Sequence, residues 1–430
     1  MQRLLYKKLQ EWSKDNNAKP LIIKGARQVG KTYLMLELAK KEFEDYVYIN
    51  FEQEKSISSI FEGDINPNSI IKKLEIIKNK NISHKTLLIF DEIQECKRAL
   101  TALKYFNEEA KQYKIICSGS NMGIALHEGT SFPVGKVEIL HIYPMSYEEF
   151  LLGIGEDKLV NILNEKDIEL ISSFHEDYIR YLRLYYYIGG MPGILKRYIE
   201  TKDLNEVQYN QTQLLMFYKE DFSKHLDNIL PTRINLVYDS IASQLTKENK
   251  KFVYGAMKKG ARASEYEYAL HYLKDIGLVN MVYRVGKPGY PISFYKDLSA
   301  FKLYINDVGL LSCMCKVHSD VALDGDNILT EFKGALTEQY VLEQLIIKYD
   351  YEPYYYANET STGEIEFIMQ DKNDVIPIEV KARENLQAKS LKNYIKKYNP
   401  SYAIKLSMKP YKKNDIVINV PLYAINLIER

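Results

Sequence analysis

The sequence predicts an α/β fold, on three observations. Short apolar runs suited to buried strands alternate with stretches of helical periodicity, one run opens into a glycine-bounded turn just ahead of a helix, and another ends in two adjacent carboxylates. Such alternation builds a parallel sheet whose strand C-termini share one edge, where the loops carry the chemistry.

The glycine turn is Gly25-Ala26-Arg27-Gln28-Val29-Gly30-Lys31-Thr32. It follows the apolar run Leu21, Ile22, Ile23 and precedes a helix pattern of Leu34, Leu36, Leu38 and Ala39. Every fixed position of G-x-x-x-x-G-K-[ST] is filled, which defines a P-loop. Its glycines let successive backbone N–H groups turn inward around phosphates, and the helix start adds the positive end of its dipole. Lys31 is expected on the β- and γ-phosphates of ATP and Thr32 on Mg²⁺.

Tyr46 to Glu52 reads as the next strand, and a mostly helical stretch runs on to about Ser83. Thr86 to Ile93, TLLIFDEI, is a strand that delivers Asp91 and Glu92 at its C-terminal end. Asp91 is expected to hold the Mg²⁺ and its water, and Glu92 to polarise the attacking water. Lys114 to Ser120 repeats the pattern, with Ser118, Ser120 and Asn121 placed to meet the γ-phosphate. Glu92, Lys31 and Ser120 are the candidate catalytic residues. Val137 to Ile142 adds a strand, so that residues 1–150 form a P-loop NTPase parallel sheet.

Residues 151–225 are polar and helical, broken at Gly189, Gly190 and Pro192, and read as a helical lid. Residues 226–300 read as a winged-helix-like module. Ile234, Val237, Ile241 and Leu245 keep helical spacing, Ser264-x-x-Glu267 looks like a capping box, and Leu278 to Val285 turns at Gly286-Lys287-Pro288-Gly289. Lys250, Lys251, Lys258, Lys259, Arg262 and Lys287 are candidate phosphate contacts on DNA, although Glu265 and Glu267 occupy the supposed recognition helix. Residues 301–430 carry Glu338 on a helix, Glu366 on a strand and Glu379-Val380-Lys381 on the next, the order of the PD-(D/E)xK nuclease core. This predicts a C-terminal α/β domain of restriction-endonuclease-like fold. Strand alternation puts Glu379 and Lys381 on one face, so Glu338, Glu366 and Glu379 with Lys381 form a second candidate metal site. Glu366 stands where that motif usually has Asp.

GARQVGKT, INFE, LLIFDEI, CSGSN and VEILHIYPMSYEEF resemble, in order and spacing, the predicted AAA-type ATPases of bacteria and archaea. YYYIGGMPGILKRYI, MFYKEDFSKH, KLYINDVGLL and FKGALTEQYV are similar to the rest of that family, whose C-terminal half has no assigned function. The resemblance implies ATP binding and hydrolysis with Mg²⁺, and a homo-oligomer in which a neighbour completes the site. Gly135-Lys136 departs from the Gly-Arg pair usual there, and lysine is a point charge rather than a planar fork.

Composition bounds the rest. The chain has 430 residues, a formal charge of +1 and dense mixed Lys and Glu, so no global attraction to polyanions or membranes follows. DNA, RNA or a protein partner would meet local patches. The four cysteines are too few and scattered for a disulfide framework, and Cys313-x-Cys315 with His318 lacks a second ligand pair for a metal. No apolar run approaches the roughly 18 residues of a membrane span, so no membrane insertion and a cytoplasmic location are expected. Clustered tyrosines, such as Tyr185–Tyr187 and Tyr354–Tyr356, read as packing residues rather than base-stacking platforms.

Overall fold

The structure, a computed structural model, describes residues 2–119, 132–222, 229–247, 250–320, 330–349, 351–352, 354–358, 363–382 and 389–429. Its contacts divide into two compact units. One comprises Gln2–Tyr143 with Asp275–Leu278, the other Pro144–Lys274 with Val279–Arg430.

The first unit runs α1 (Tyr6–Lys14), β1 (Leu21–Lys24), α2 (Lys31–Glu42), β2 (Asp45–Asn50), α3 (Pro67–Lys78), β3 (Thr86–Asp91), α4 (Lys97–Glu109), β4 (Lys114–Gly119) and β5 (Glu138–His141). The five strands form one parallel sheet in the order β2-β3-β4-β1-β5. All six residues of β3 are buried, as an apolar run covered by helices on both faces requires. Below the acidic strand end, Phe51, Phe61 and Phe90 meet edge to face at 5.7–6.0 Å, pairs worth about 0.5–1.5 kcal/mol each beyond their buried area. α3 starts where Asn66 accepts from the Ser69 N–H at 3.0 Å and Pro67 fills the first turn, and stops at Asn79 in the left-handed region.

The second unit opens with the helices α5 (Tyr147–Ile154), α6 (Asp157–Glu165), α7 (Ile168–Ser173), α8 (His175–Ile188), α9 (Pro192–Thr201), α10 (Leu204–Asp221), α11 (Leu230–Leu245) and α12 (Ala263–Asp275). There follow the strands β6 (Val279–Val285) and β7 (Lys296–Ile305), then α13 (Val308–Met314), α14 (Thr330–Tyr349), β8 (Tyr354–Ala357), β9 (Glu364–Asp371), β10 (Asp374–Lys381), α15 (Lys389–Tyr398), β11 (Ala403–Ser407), β12 (Lys412–Asn414) and β13 (Val417–Pro421). The strands make one mixed sheet in the order β12-β13-β11-β10-β9-β8-β6-β7.

Three differences from the sequence reading follow. The helices read as a lid belong to the second unit, because Tyr147, Tyr185 and Tyr186 pack on Tyr340 of α14 with ring centroids 5.2–6.3 Å apart. The hairpin of the expected winged helix forms, β6 against β7, yet it is built into the C-terminal sheet through parallel pairing of β6 with β8, and the division at 300/301 falls inside β7. Ser264 lies within α12 rather than capping it. A capping box stands instead at the start of α5, where Ser146 Oγ accepts from the Glu149 N–H at 3.1 Å and Glu149 answers at 3.0 Å. The clustered tyrosines are buried, Tyr185–Tyr187 in α8 and Tyr354–Tyr356 in β8.

Candidate functional site

β1 ends at Lys24 in the middle of the first sheet, and the chain turns through Gly25–Gly30 before α2 starts at Lys31. Gln28 (φ 65°) and Gly30 (φ 97°) both sit in the left-handed region, the alternation that aims successive N–H groups into an anion-binding concavity. Gly25 is glycine for another reason. A Cβ there would stand 2.2 Å from the carbonyl oxygen of Ile142, so it is the approach of the strand after β5, not a positive φ, that excludes a side chain. Arg3, which sequence reading missed, braces the loop from outside. It donates from Nη1 to Val29 O at 2.9 Å and from Nη2 to Tyr143 O at 2.6 Å.

Lys31 is buried, and its ammonium donates to the carbonyls of Gly25 and Ala26, both at 2.9 Å. Burial lowers its pKa, and the charges of Glu92 and Asp91 work the other way. An ammonium held only by neutral carbonyls in a concave ring of N–H groups suits phosphate oxygens, which it can bind by exchanging those carbonyls.

Asp91, buried at the end of β3, is saturated with donors. Thr32 Oγ1 donates to Oδ2 at 2.7 Å, Tyr48 OH donates to the same oxygen at 2.8 Å, and Ser118 Oγ donates to Oδ1. A threonine hydroxyl and a carboxylate brought together beside a phosphate cradle fit Mg²⁺, whose preferred ligands are oxygens. Ser118 is thereby corrected, since its hydroxyl is spent on Asp91 and not turned to a γ-phosphate. Ser120 and Asn121 lie outside the described residues. Tyr48, on the adjacent strand β2, is the second residue missed. Burial and then the neighbouring Asp91 push its hydroxyl up to about 12, so it stays a donor.

Glu92 leaves β3 with φ 51° and ψ 48°. The turn carries its carboxylate, half-buried, away from Asp91's partners, and Gln94 Nε2 donates to Oε2 at 2.7 Å. Lys136, in the Gly-Lys pair, bonds to Glu108 at 2.8 Å.

The second constellation lies in the second unit. β8, β9 and β10 form an antiparallel meander after α14, and β11 returns parallel to β10 after α15. Glu379 and Lys381 pair with each other, Lys381 Nζ stands 3.7 Å from Glu366 Oε1, and Glu366 Oε2 accepts from the Val380 N–H at 3.0 Å. Burial and Glu379 push Glu366 up to about 8. Burial would also raise Glu338, but the ammonium groups of Lys250 and Lys302 hold it below the usual carboxylate range. Lys250 is thus an internal ion-pair partner, not the DNA contact expected of it. Glu379 Oε2 is buried with no hydrogen-bond partner, the sort of atom a cation would satisfy. Among the described residues, however, no three His, Cys, Asp or Glu side chains converge as they would on a metal, and no helix is long and apolar enough to cross a membrane.

Residues 17–151 match the family model of an AAA domain, residues 179–321 that of a domain of unknown function (DUF8612), and residues 333–425 that of another (DUF4143). An uncharacterized protein of Methanocaldococcus jannaschii is 26% identical over 296 residues, 66% of this chain and 60% of that protein, so the chain spans less than two thirds of this relative's length. Of solved structures, a Walker-type ATPase of Pyrococcus abyssi is similar over 72% of this chain and 94% of its own, at 16% identity and a TM-score of 0.44. The ADP form of the Aeropyrum pernix ORC2 protein is similar over 78% and 93%, at 13% identity and a TM-score of 0.29. Residues 17–151 thus carry an AAA domain with a P-loop, and this match supports ATP binding and hydrolysis.

Proposed function

We propose that the protein is a Mg²⁺-dependent ATPase that uses ATP turnover as a conformational switch acting on a nucleic acid or a protein partner. The observation that carries the reading is the meeting of Thr32 with Asp91, 2.7 Å apart, beside a left-handed P-loop whose lysine is buried. Loop N–H groups and Lys31 bind the phosphates. Thr32 and Asp91 would hold Mg²⁺, which supplies charge neutralisation on the phosphate oxygens when bound. Glu92 orients the attacking water and takes up its proton as the bond to phosphorus forms, and Gln94 fixes the carboxylate that does so. Completion of the site by a second copy of the chain belongs to the same reading, and Lys136 in place of arginine argues for a weaker contribution from that position.

Phosphate release from Mg-ATP is the test. Glu92→Gln is expected to bind ATP like the wild type and hydrolyse it about a hundredfold more slowly or worse; equal turnover would remove Glu92 from the role of base. Lys31→Ala is expected to lose nucleotide affinity, and unchanged binding would overturn the P-loop assignment.

A second reading, an ATP-regulated nuclease, is favoured by one observation. The succession α14, three-stranded meander, α15 and parallel β11 puts Glu338, Glu366, Glu379 and Lys381 at the positions that the PD-(D/E)xK order requires. DNA-stimulated ATP turnover with cleavage lost in Glu379→Ala is its signature.

A further inference from the structure

The C-terminal carboxylates are interleaved with lysines. Lys250 Nζ sits on Glu338 Oε1, and Lys302 Nζ stands 3.7 Å from Glu338 Oε2, which also accepts from Tyr304 OH at 3.1 Å. Lys302 pairs onward with Glu364, and Lys381 with Glu379 and Glu366. Four carboxylates therefore share three ammonium groups, a formal charge of −1. Both oxygens of Glu338 are taken, whereas Glu379, 1% exposed, keeps one oxygen that nothing meets. A buried carboxylate oxygen without a donor costs about 1–3 kcal/mol, more when charged, so the cluster is built with a place for a positive partner at Glu379.

We propose that Lys250 is a latch on a divalent-cation site formed by Glu338, Glu366 and Glu379: while its ammonium holds Glu338 the cluster takes no divalent ion, and its withdrawal frees that carboxylate to join Glu379. The inference rests on the second reading above, in which this cluster is a cation site. Of the three lysines only Lys250 is placed to leave. Lys302 is fully buried in mid-strand, lying over the Tyr355 ring at 4.9 Å, and Lys381 belongs to β10 itself. Lys250 lies outside helix and strand beyond α11, with a single carboxylate partner on a flexible four-carbon stem. Without it the cluster's formal charge is −2, the charge a hard, oxygen-seeking divalent ion neutralises.

The experiment is calorimetric titration of MnCl₂ into the nucleotide-free full chain, as wild type, Lys250→Ala, Lys250→Met and Lys250→Ala/Glu379→Gln. Lys250→Met keeps the apolar stem, so the result does not hang on packing lost in the alanine variant. Both single variants are expected to bind Mn²⁺ at least about tenfold more tightly than the wild type, and Glu379→Gln to abolish the gain. Wild type binding as tightly as the variants overturns the latch while leaving the cluster a cation site. No uptake by any of the four overturns the latch together with the cation reading, and the ATPase assignment is untouched by either result.

Discussion

Asp91 is held by three hydroxyls, and only one of them was legible in the sequence. Thr32 belongs to a motif whose members are neighbours along the chain. Tyr48 and Ser118 reach Asp91 because β2 and β4 flank β3, a fact of strand order that no local pattern encodes. Arg3 escaped for the same reason, since its two carbonyl partners lie 26 and 140 residues away. Tyr48→Phe removes a donor from a buried carboxylate, a loss of about 1.5–3 kcal/mol for a hydrogen bond to a charged group. The consequence is expected in the Mg²⁺ dependence: a higher Mg²⁺ concentration at half-maximal ATP turnover, with nucleotide affinity in the absence of Mg²⁺ unchanged. An identical Mg²⁺ curve would make the tyrosine a packing residue alone.

At the scale of elements, strands and helices of the first unit were readable from periodicity, because buried parallel strands are short apolar runs and nothing else in the chain looks like them. The grouping of the second unit was not. β6 joins the C-terminal sheet through only three paired residues, Tyr283–Val285 against Tyr354–Tyr356, a long-range parallel pairing without a turn to announce it. The junction of α8 with α13 also escaped sequence reading, and it carries a pH prediction. Asp307 caps α13, accepting from Leu310 N–H at 2.9 Å and from Gly190 N–H at 2.6 Å, and a Cβ on Gly189 would stand 2.2 Å from its carboxylate. Burial pushes Asp307 up to about 6, and Glu343 of α14, buried beside it, is raised well above the ordinary carboxylate range. A raised carboxyl pKa favours the fold while protonated. Its stability is therefore fully present below about pH 4, the unfolded value, and is lost as pH rises through about 6. Melting temperatures of wild type and Asp307→Asn, measured from pH 4 to 7.5, are expected to differ by an amount that changes across that window. A constant difference would show that Asp307 does not titrate there.

For the molecule as a whole, the P-loop unit is not one continuous stretch of chain. The chain leaves it at Tyr143 and returns for Asp275–Leu278 alone. In that return Gly277, at φ 75°, comes so close that a Cβ would lie 3.1 Å from the Ala26 N–H nitrogen of the P-loop. Gly277→Val would force a β-branched residue into the left-handed region, at about 1–2 kcal/mol, and press it on a phosphate-binding amide. A several-fold loss of ATP affinity with the melting transition still cooperative is expected, and unaltered affinity would mean that the loop yields without cost. The same contact makes the four returning residues a mechanical tether. They are bounded on one side by the last turn of α12 and on the other by the first residue of β6. A shift of Ala26 as phosphates come and go is therefore a tug on one glycine, and the backbone running out from that glycine in both directions is the backbone of the other unit.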